Sequence, residues 1–120
     1  MYGSRFNNKQ LKHLVYLFNE EMIFQPAVDE KAVNGLFSCK LTQPLMVRDV
    51  RKLCYIMDQL RQKGMITPMW QAVSEKQNCF MSLRGKPISR NTLSSAKYYA
   101  INEDNDYHRY AEYINIVARM

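Results

Sequence analysis

The sequence predicts a mainly α-helical fold, a bundle of five or six helices in one domain spanning residues 1–120. Apolar residues recur at steps of three and four along most of the chain, and this spacing places them on one side of a helix. Only four Gly and four Pro are present, which argues against many short strands joined by tight turns. A chain of 120 residues can bury a core without disulfide or metal staples.

Two helices are predicted in the N-terminal third. The first spans residues 8–23, and Pro26 is expected to end it because proline disfavours a helical conformation in the residue before it. The second is short, with Asp29 as its N-cap, and continues through Phe37. The apolar face of the first helix consists of Leu11, Leu14, Val15, Phe18 and Met22.

The strongest helical pattern in the chain runs from about Leu45 to Lys63. Its apolar seam consists of Met46, Val50, Leu53, Met57 and Leu60. Gly64 follows the last turn, and glycine readily adopts the left-handed conformation that ends a helix.

A fourth helix is predicted to begin at Thr67 and Pro68 and to end near Lys76. The residues expected to face the core are Met69, Trp70 and Val73. In 78–83, successive side chains that would point to opposite faces predict a short strand, and 84–87 is expected to form a turn.

Two further helices complete the prediction. Ser89 is the expected N-cap of the fifth helix, which covers 90–100 and buries Leu93, Ala96 and Ala100. A polar break over 102–106 follows and is expected to cap the sixth helix. The apolar stripe of that helix consists of Tyr107, Tyr110, Ala111, Ile114, Val117 and Ala118.

The positive charge is concentrated in the middle of the chain. The net charge is +6, yet residues 41–99 alone carry ten Lys and Arg against three acids. A basic segment between nearly neutral flanks is typical of proteins that bind a polyanion, most often nucleic acid. The alternative is a charged face that only contacts solvent.

Two clusters of predominantly basic residues could contact phosphates or bases. One lies on the outer face of the third helix, and the other is a basic turn that leads into the fifth helix, whose free N-terminal N–H groups favour phosphate. The predicted nucleic-acid-binding residues are Arg48, Arg51, Lys52, Arg84, Lys86, Arg90, Asn91, Ser94 and Lys97.

The sequence does not decide which type of DNA-binding fold would present these residues. The fourth and fifth helices are too far apart in the chain for a standard helix-turn-helix. A winged helix is an alternative, in which the third helix enters the major groove, with Tyr55 beside its basic residues, and 79–88 supplies a short β-hairpin as the wing.

Other function classes receive little support. Cys39, Cys54 and Cys79 show no CxxC spacing, which favours a reducing cytoplasm over a secreted disulfide framework. We expect no membrane span, no signal peptide, no metal, no cofactor and no enzymatic activity, because no corresponding pattern is present. The competing hypothesis is a helical protein-interaction module or homodimer that uses either the Tyr-rich C-terminal helix or the Met-rich seam.

The C-terminal third resembles the RteC-type regulators of Bacteroides conjugative elements. The resemblance consists of Lys86-Pro87-Ile88-Ser89, Leu93, Tyr99-Ala100-Ile101-Asn102 and Tyr107-His108-Arg109-Tyr110. It implies a helix-turn-helix region and a transcriptional regulator of a mobile element. The stretch 60–80 is similar to small Bacteroides proteins of unknown function. The acidic run 103–106 and the missing basic tail depart from the family pattern and weaken any expectation of DNA contacts in the last helix.

Overall fold

The structure is a computed structural model that describes residues 1–103 and 107–120. The helices are α1 (Asn8–Glu20), α2 (Glu30–Phe37), α3 (Val50–Gln62), α4 (Trp70–Lys76), α5 (Arg90–Glu103) and α6 (His108–Ala118), and the strands are β1 (Leu45–Val47) and β2 (Phe80–Ser82). The mainly helical class and the short β element are therefore confirmed.

Helix α3 is the centre of the fold. It packs most extensively against α5 and also against α6, while α1 covers α2 and α6, and α4 covers α5. The predicted seam residues Leu53, Met57 and Leu60 are fully buried. Gly64 has a φ of +71°, the left-handed conformation expected after the last turn.

The start of α3 differs from the prediction. Leu45–Val47 pairs in parallel with Phe80–Ser82, so the first residues of the predicted helix form a strand. The Asp49 side chain then accepts the backbone N–H of Lys52 at 3.0 Å and caps the helix at Val50. Spacing of apolar residues does not distinguish a buried strand from the first turn of a buried helix, which explains the error.

The predicted hairpin is reduced to one antiparallel bridge, and the sheet is instead a parallel pair of β1 and β2. Strand β2 turns back through 83–86, and Met81 forms a single antiparallel bridge with Pro87. On its other side β2 pairs with β1, while Phe24 bridges the far edge of β1 at Val47. These pairings join segments that are distant in sequence, so local pattern does not predict them.

The first two helices form as predicted at their N-termini. Asn7 and Gln10 make a reciprocal capping box at α1, and the Asp29 carboxylate accepts the Ala32 N–H at 2.8 Å at α2. Helix α1 ends at Glu20, before the predicted residue 23, because Met22 has a φ of 51° and the chain reverses there without help from Pro26.

The remaining helices bury most of the expected residues, whereas Val73, Ala111 and Ala118 are only partly buried and Met69 is exposed. Trp70 is fully buried, but Met69 is 65% exposed because it precedes α4 as its N-cap and points away from the core. Leu93, Ala96 and Ala100 face inward as predicted. Helix α5 continues three residues beyond its predicted end, so 102 and 103 are helical, whereas the rest of the predicted polar break, 104–106, lies outside the described residues.

Candidate nucleic-acid interface

The basic turn before α5 projects its cations into solvent. Gly85 has a φ of +81°, and its N–H donates to the carbonyl of Ser82 at 2.9 Å. The backbone N–H of Lys86 donates to Ser82 Oγ at 3.2 Å. This closed turn leaves Arg84 and Lys86 exposed, and neither makes an ion pair within the described part of the chain.

The same surface continues along the first turns of α5. Arg90, Asn91 and Ser94 are all exposed. Ser89 Oγ accepts the Thr92 N–H at 3.2 Å and caps the helix as predicted. Five of the predicted residues, from the turn and from α5, therefore share one end of the helix.

A carboxylate occupies the N-terminus of α5. Glu75 Oε2 of α4 accepts the Arg90 backbone N–H at 2.8 Å. The predicted free N–H groups for a phosphate are thus partly satisfied by Glu75 and Ser89, and phosphate contacts at this end depend on the side chains of Arg84, Lys86 and Arg90 instead. Glu75 belongs to a different helix, so no local spacing reveals this contact.

Up to Asn102, the exposed residues of α5 are uncharged or basic. Residues 84–102 contain four Lys and Arg and no Asp or Glu. Tyr98 is 61% exposed and Tyr99 is 41% exposed, and their rings meet edge to face. Tyr98 lies opposite Leu93, Ala96 and Ala100, so helical spacing predicts its exposure correctly.

The predicted cations around α3 have three different environments. Arg51 lies over the Tyr99 ring at 5.2 Å and remains exposed. Arg48 Nη2 donates to the Gln25 side-chain oxygen at 2.6 Å. Lys52 pairs with Glu21 at 3.5 Å and is only partly exposed. Of these three, Arg51 is the one that extends the α5 surface.

Lys97 points towards the protein interior. Its ammonium lies 4.0 Å from Asp58, a residue that is 1% exposed, and its own side chain is about one-third exposed. Asp58 also accepts Arg61 Nε at 2.8 Å. Lys97 therefore neutralises a buried carboxylate and does not belong to the open basic surface.

The interpretation of α3 as a groove-entering helix is wrong. Within α3, only Arg51 and Gln62 are exposed. The Tyr55 ring, predicted to accompany the basic residues, packs edge to face against Tyr107 and Tyr110. A helix covered by α5 and α6 cannot enter the major groove, which accepts a helix with a free face.

A polar cluster lies where α1, α3 and α6 meet. The Tyr110 hydroxyl donates to Glu21, which also pairs with Arg109 and Lys52. Burial and the hydrogen bond to Glu21 raise the pKa of Tyr110 to about 12. Burial opposes ionisation of Glu21, but Tyr110, Arg109 and Lys52 together lower the pKa of this carboxyl below its usual 4.5. The cluster links helices and is separate from the α5 surface.

In the described part of the chain, the His, Cys, Asp and Glu side chains outside this surface do not form a metal centre. Among residues 1–103 and 107–120, no group of three His, Cys, Asp or Glu could hold a metal ion. The three cysteines are free thiols. A groove of about 590 Å³ between α2 and β1 is lined only by residues between Phe24 and Met46. In the described helices, no segment is both long and apolar enough to cross a membrane.

Comparisons with known proteins give no relative. No protein-family model, no curated protein and no solved structure matches the chain.

Proposed function

We propose that this protein is a small DNA-binding regulatory protein whose contact surface is the exposed side of α5 and the turn before it. The observation that carries the proposal is that Arg84, Lys86, Arg90, Asn91 and Ser94 are all exposed in the turn before α5 and along its first turns. Guanidinium and ammonium groups of this kind contact phosphates, and amide and hydroxyl groups contact phosphates or base edges.

Charge supports a polyanion over a neutral partner. The cations of the turn and α5 end are unpaired within the described residues, whereas Lys52 and Lys97 already have carboxylate partners. Three unpaired cations, Arg84, Lys86 and Arg90, outnumber the single Glu75 carboxylate at this end of α5. The resulting positive potential attracts a phosphate backbone and accelerates its association.

The proposal also includes a biological role and a cellular location. The resemblance of the C-terminal third to RteC-type regulators supports a role as a transcriptional regulator of a mobile element. The free thiols support a cytoplasmic location, because a reducing compartment keeps thiols unpaired.

Fluorescence anisotropy with labelled duplex DNA, single-stranded DNA and RNA tests this function. Four cationic phosphate contacts, from Arg51, Arg84, Lys86 and Arg90, predict that the affinity for duplex DNA falls by about two orders of magnitude between about 50 and about 200 mM salt, because neutralised phosphates release counterions. Absence of binding to the duplex at the lower salt concentration contradicts the proposal.

Charge reversal at the turn provides the matched comparison. The double variant R84E/K86E is expected to abolish measurable binding at about 200 mM salt, since two phosphate contacts become repulsive. The control variant K9E/K12E makes the same change of charge on exposed residues of α1. Equal loss of affinity in both variants would show that binding follows net charge and has no defined surface.

A second candidate function is a helical protein-interaction module or homodimer. It is favoured by one observation: Tyr98, Tyr99 and Ile101 expose large apolar side chains on neighbouring turns of α5. Light scattering coupled to size-exclusion chromatography distinguishes the two functions. A dimer that Ile101→Glu converts to a monomer, without any DNA affinity in either form, would favour the interaction module.

A further inference from the structure

The outward side of α5 carries a ridge of hydrogen-bonding side chains. At 100° per residue, Asn91, Ser95 and Tyr98 lie within about 60° of one another around the helix axis. All three are exposed, and the buried residues Leu93, Ala96 and Ala100 occupy the opposite side. Asn102 belongs to the same side, but its amide donates to the Tyr98 carbonyl at 2.8 Å and is turned back onto the helix.

Basic side chains flank this ridge at both ends. Arg84, Lys86 and Arg90 lie at the N-terminal end, and Arg51 lies over Tyr99 near the C-terminal end. From Arg90 to Tyr99 the helix rises about 14 Å at 1.5 Å per residue. The major groove of B-DNA is about 12 Å wide, so a helix of this length can place a cation beside each phosphate backbone.

We infer that α5 is the helix that enters the major groove, and that Ser95 and Tyr98, together with Asn91, read base edges there. This inference rests on the proposed DNA-binding function and adds sequence selectivity to it. An Asn amide can bond an adenine edge through two atoms, and hydroxyl groups can donate to or accept from the groove acceptors and donors. The flanking cations position the helix but do not distinguish bases.

The shape of the surface favours duplex DNA over a single strand. Single-strand binders hold the backbone in a positively charged groove and stack bases on aromatic rings along it. Here the polar ridge is the convex side of a helix, and Tyr98 is neighboured by the small side chains of Ser94 and Ser95. A convex ridge bordered by cations fits into a groove of the partner.

Selection from a randomised duplex library, followed by affinity measurements, tests the inference. The intact protein is expected to enrich a defined site and to prefer it over a scrambled duplex. Ser95→Ala and Tyr98→Ala are each expected to reduce that preference roughly tenfold, while leaving the salt-dependent affinity for scrambled duplex unchanged. Tyr16→Ala is the matched control, because Tyr16 is 59% exposed on α1, and it should leave both quantities unchanged.

The alternative outcomes separate this inference from the proposed function. Salt-dependent duplex binding without an enriched site, or an unchanged preference in both ridge variants, overturns the inference and leaves DNA binding intact. Tighter binding to single strands than to duplex also overturns the groove assignment. Failure to bind any duplex overturns the proposed function, and the inference with it.

Discussion

Asp58 shows how a single buried charge organises the inner side of the basic segment. Its carboxylate accepts hydrogen bonds from Arg61 Nε at 2.8 Å and from Gln62 Nε2 at 3.0 Å, and it lies 4.0 Å from the Lys97 ammonium. A buried carboxylate is costly unless a cation and hydrogen-bond donors surround it, which explains why the partly exposed Lys97 side chain places its ammonium towards Asp58 on α3.

Replacing Asp58 should therefore weaken the fold. Asp58→Ala is expected to reduce the free energy of unfolding by about 2–3 kcal/mol, because the partly buried Lys97 loses its carboxylate partner. Urea unfolding followed by circular dichroism measures the change. Lys63→Ala, at an exposed residue, is the control and should alter stability by less than about 0.5 kcal/mol. Equal effects of the two substitutions would contradict this role of Asp58.

Glu21 gives the fold a predictable pH dependence. Its folded-state pKa lies below 4.5, because Tyr110, Arg109 and Lys52 outweigh the opposing effect of burial. A lowered pKa stabilises the folded state above pH 4.5, and that contribution is lost as the pH falls through the folded-state pKa. Glu21→Gln should cost about 1 kcal/mol at neutral pH and progressively less below pH 4.5. Urea unfolding of the unsubstituted protein and of Glu21→Gln, measured at pH 7 and below pH 4.5, tests this prediction. A difference in unfolding free energy that is the same at both pH values would refute it.

At the scale of elements, apolar periodicity predicts where helices exist but not where each begins. The buried residues of α3, α5 and α6 follow the expected spacing, because these faces meet a common core. The first turn of α3 and the end of α1 are decided by other interactions. Leu45–Val47 has a strand partner at Phe80–Ser82, and Met22 reverses the chain. Neither is visible in local spacing.

Asp49 is expected to contribute to the stability of the fold because it is the N-cap of α3, two residues after the end of β1. Asp49→Ala removes the acceptor for the Lys52 N–H and is expected to reduce stability by about 1 kcal/mol, as measured by chemical denaturation. Asp49→Asn is the conservative comparison, since its side-chain oxygen can still accept that bond, and it should retain most of the stability. If both variants lost the same amount, the carboxylate charge, and not the cap, would be responsible.

At the scale of the whole molecule, the packing of α3 divides the basic segment into two parts. Composition identifies this segment as basic but cannot tell which cations meet carboxylates from other helices. Lys52 meets Glu21 and Lys97 meets Asp58, whereas Arg84, Lys86 and Arg90 remain exposed without an ion pair in the described ranges. The candidate residues of the turn and of the first part of α5 are exposed, and their role in binding stays a prediction. Those on α3 are largely redirected, because that helix is the core of the fold.

The central claim is that duplex DNA contacts the α5 face and not another surface. The most direct measurement is a titration of the ¹⁵N-labelled protein with duplex DNA, followed by amide chemical shifts. We predict that the shifts change from Arg84 through Ile101 and at Arg51, while α1 and α2 remain unchanged. Binding of DNA with changes confined to α1 or α2, or spread evenly over every exposed lysine and arginine, would contradict the claim.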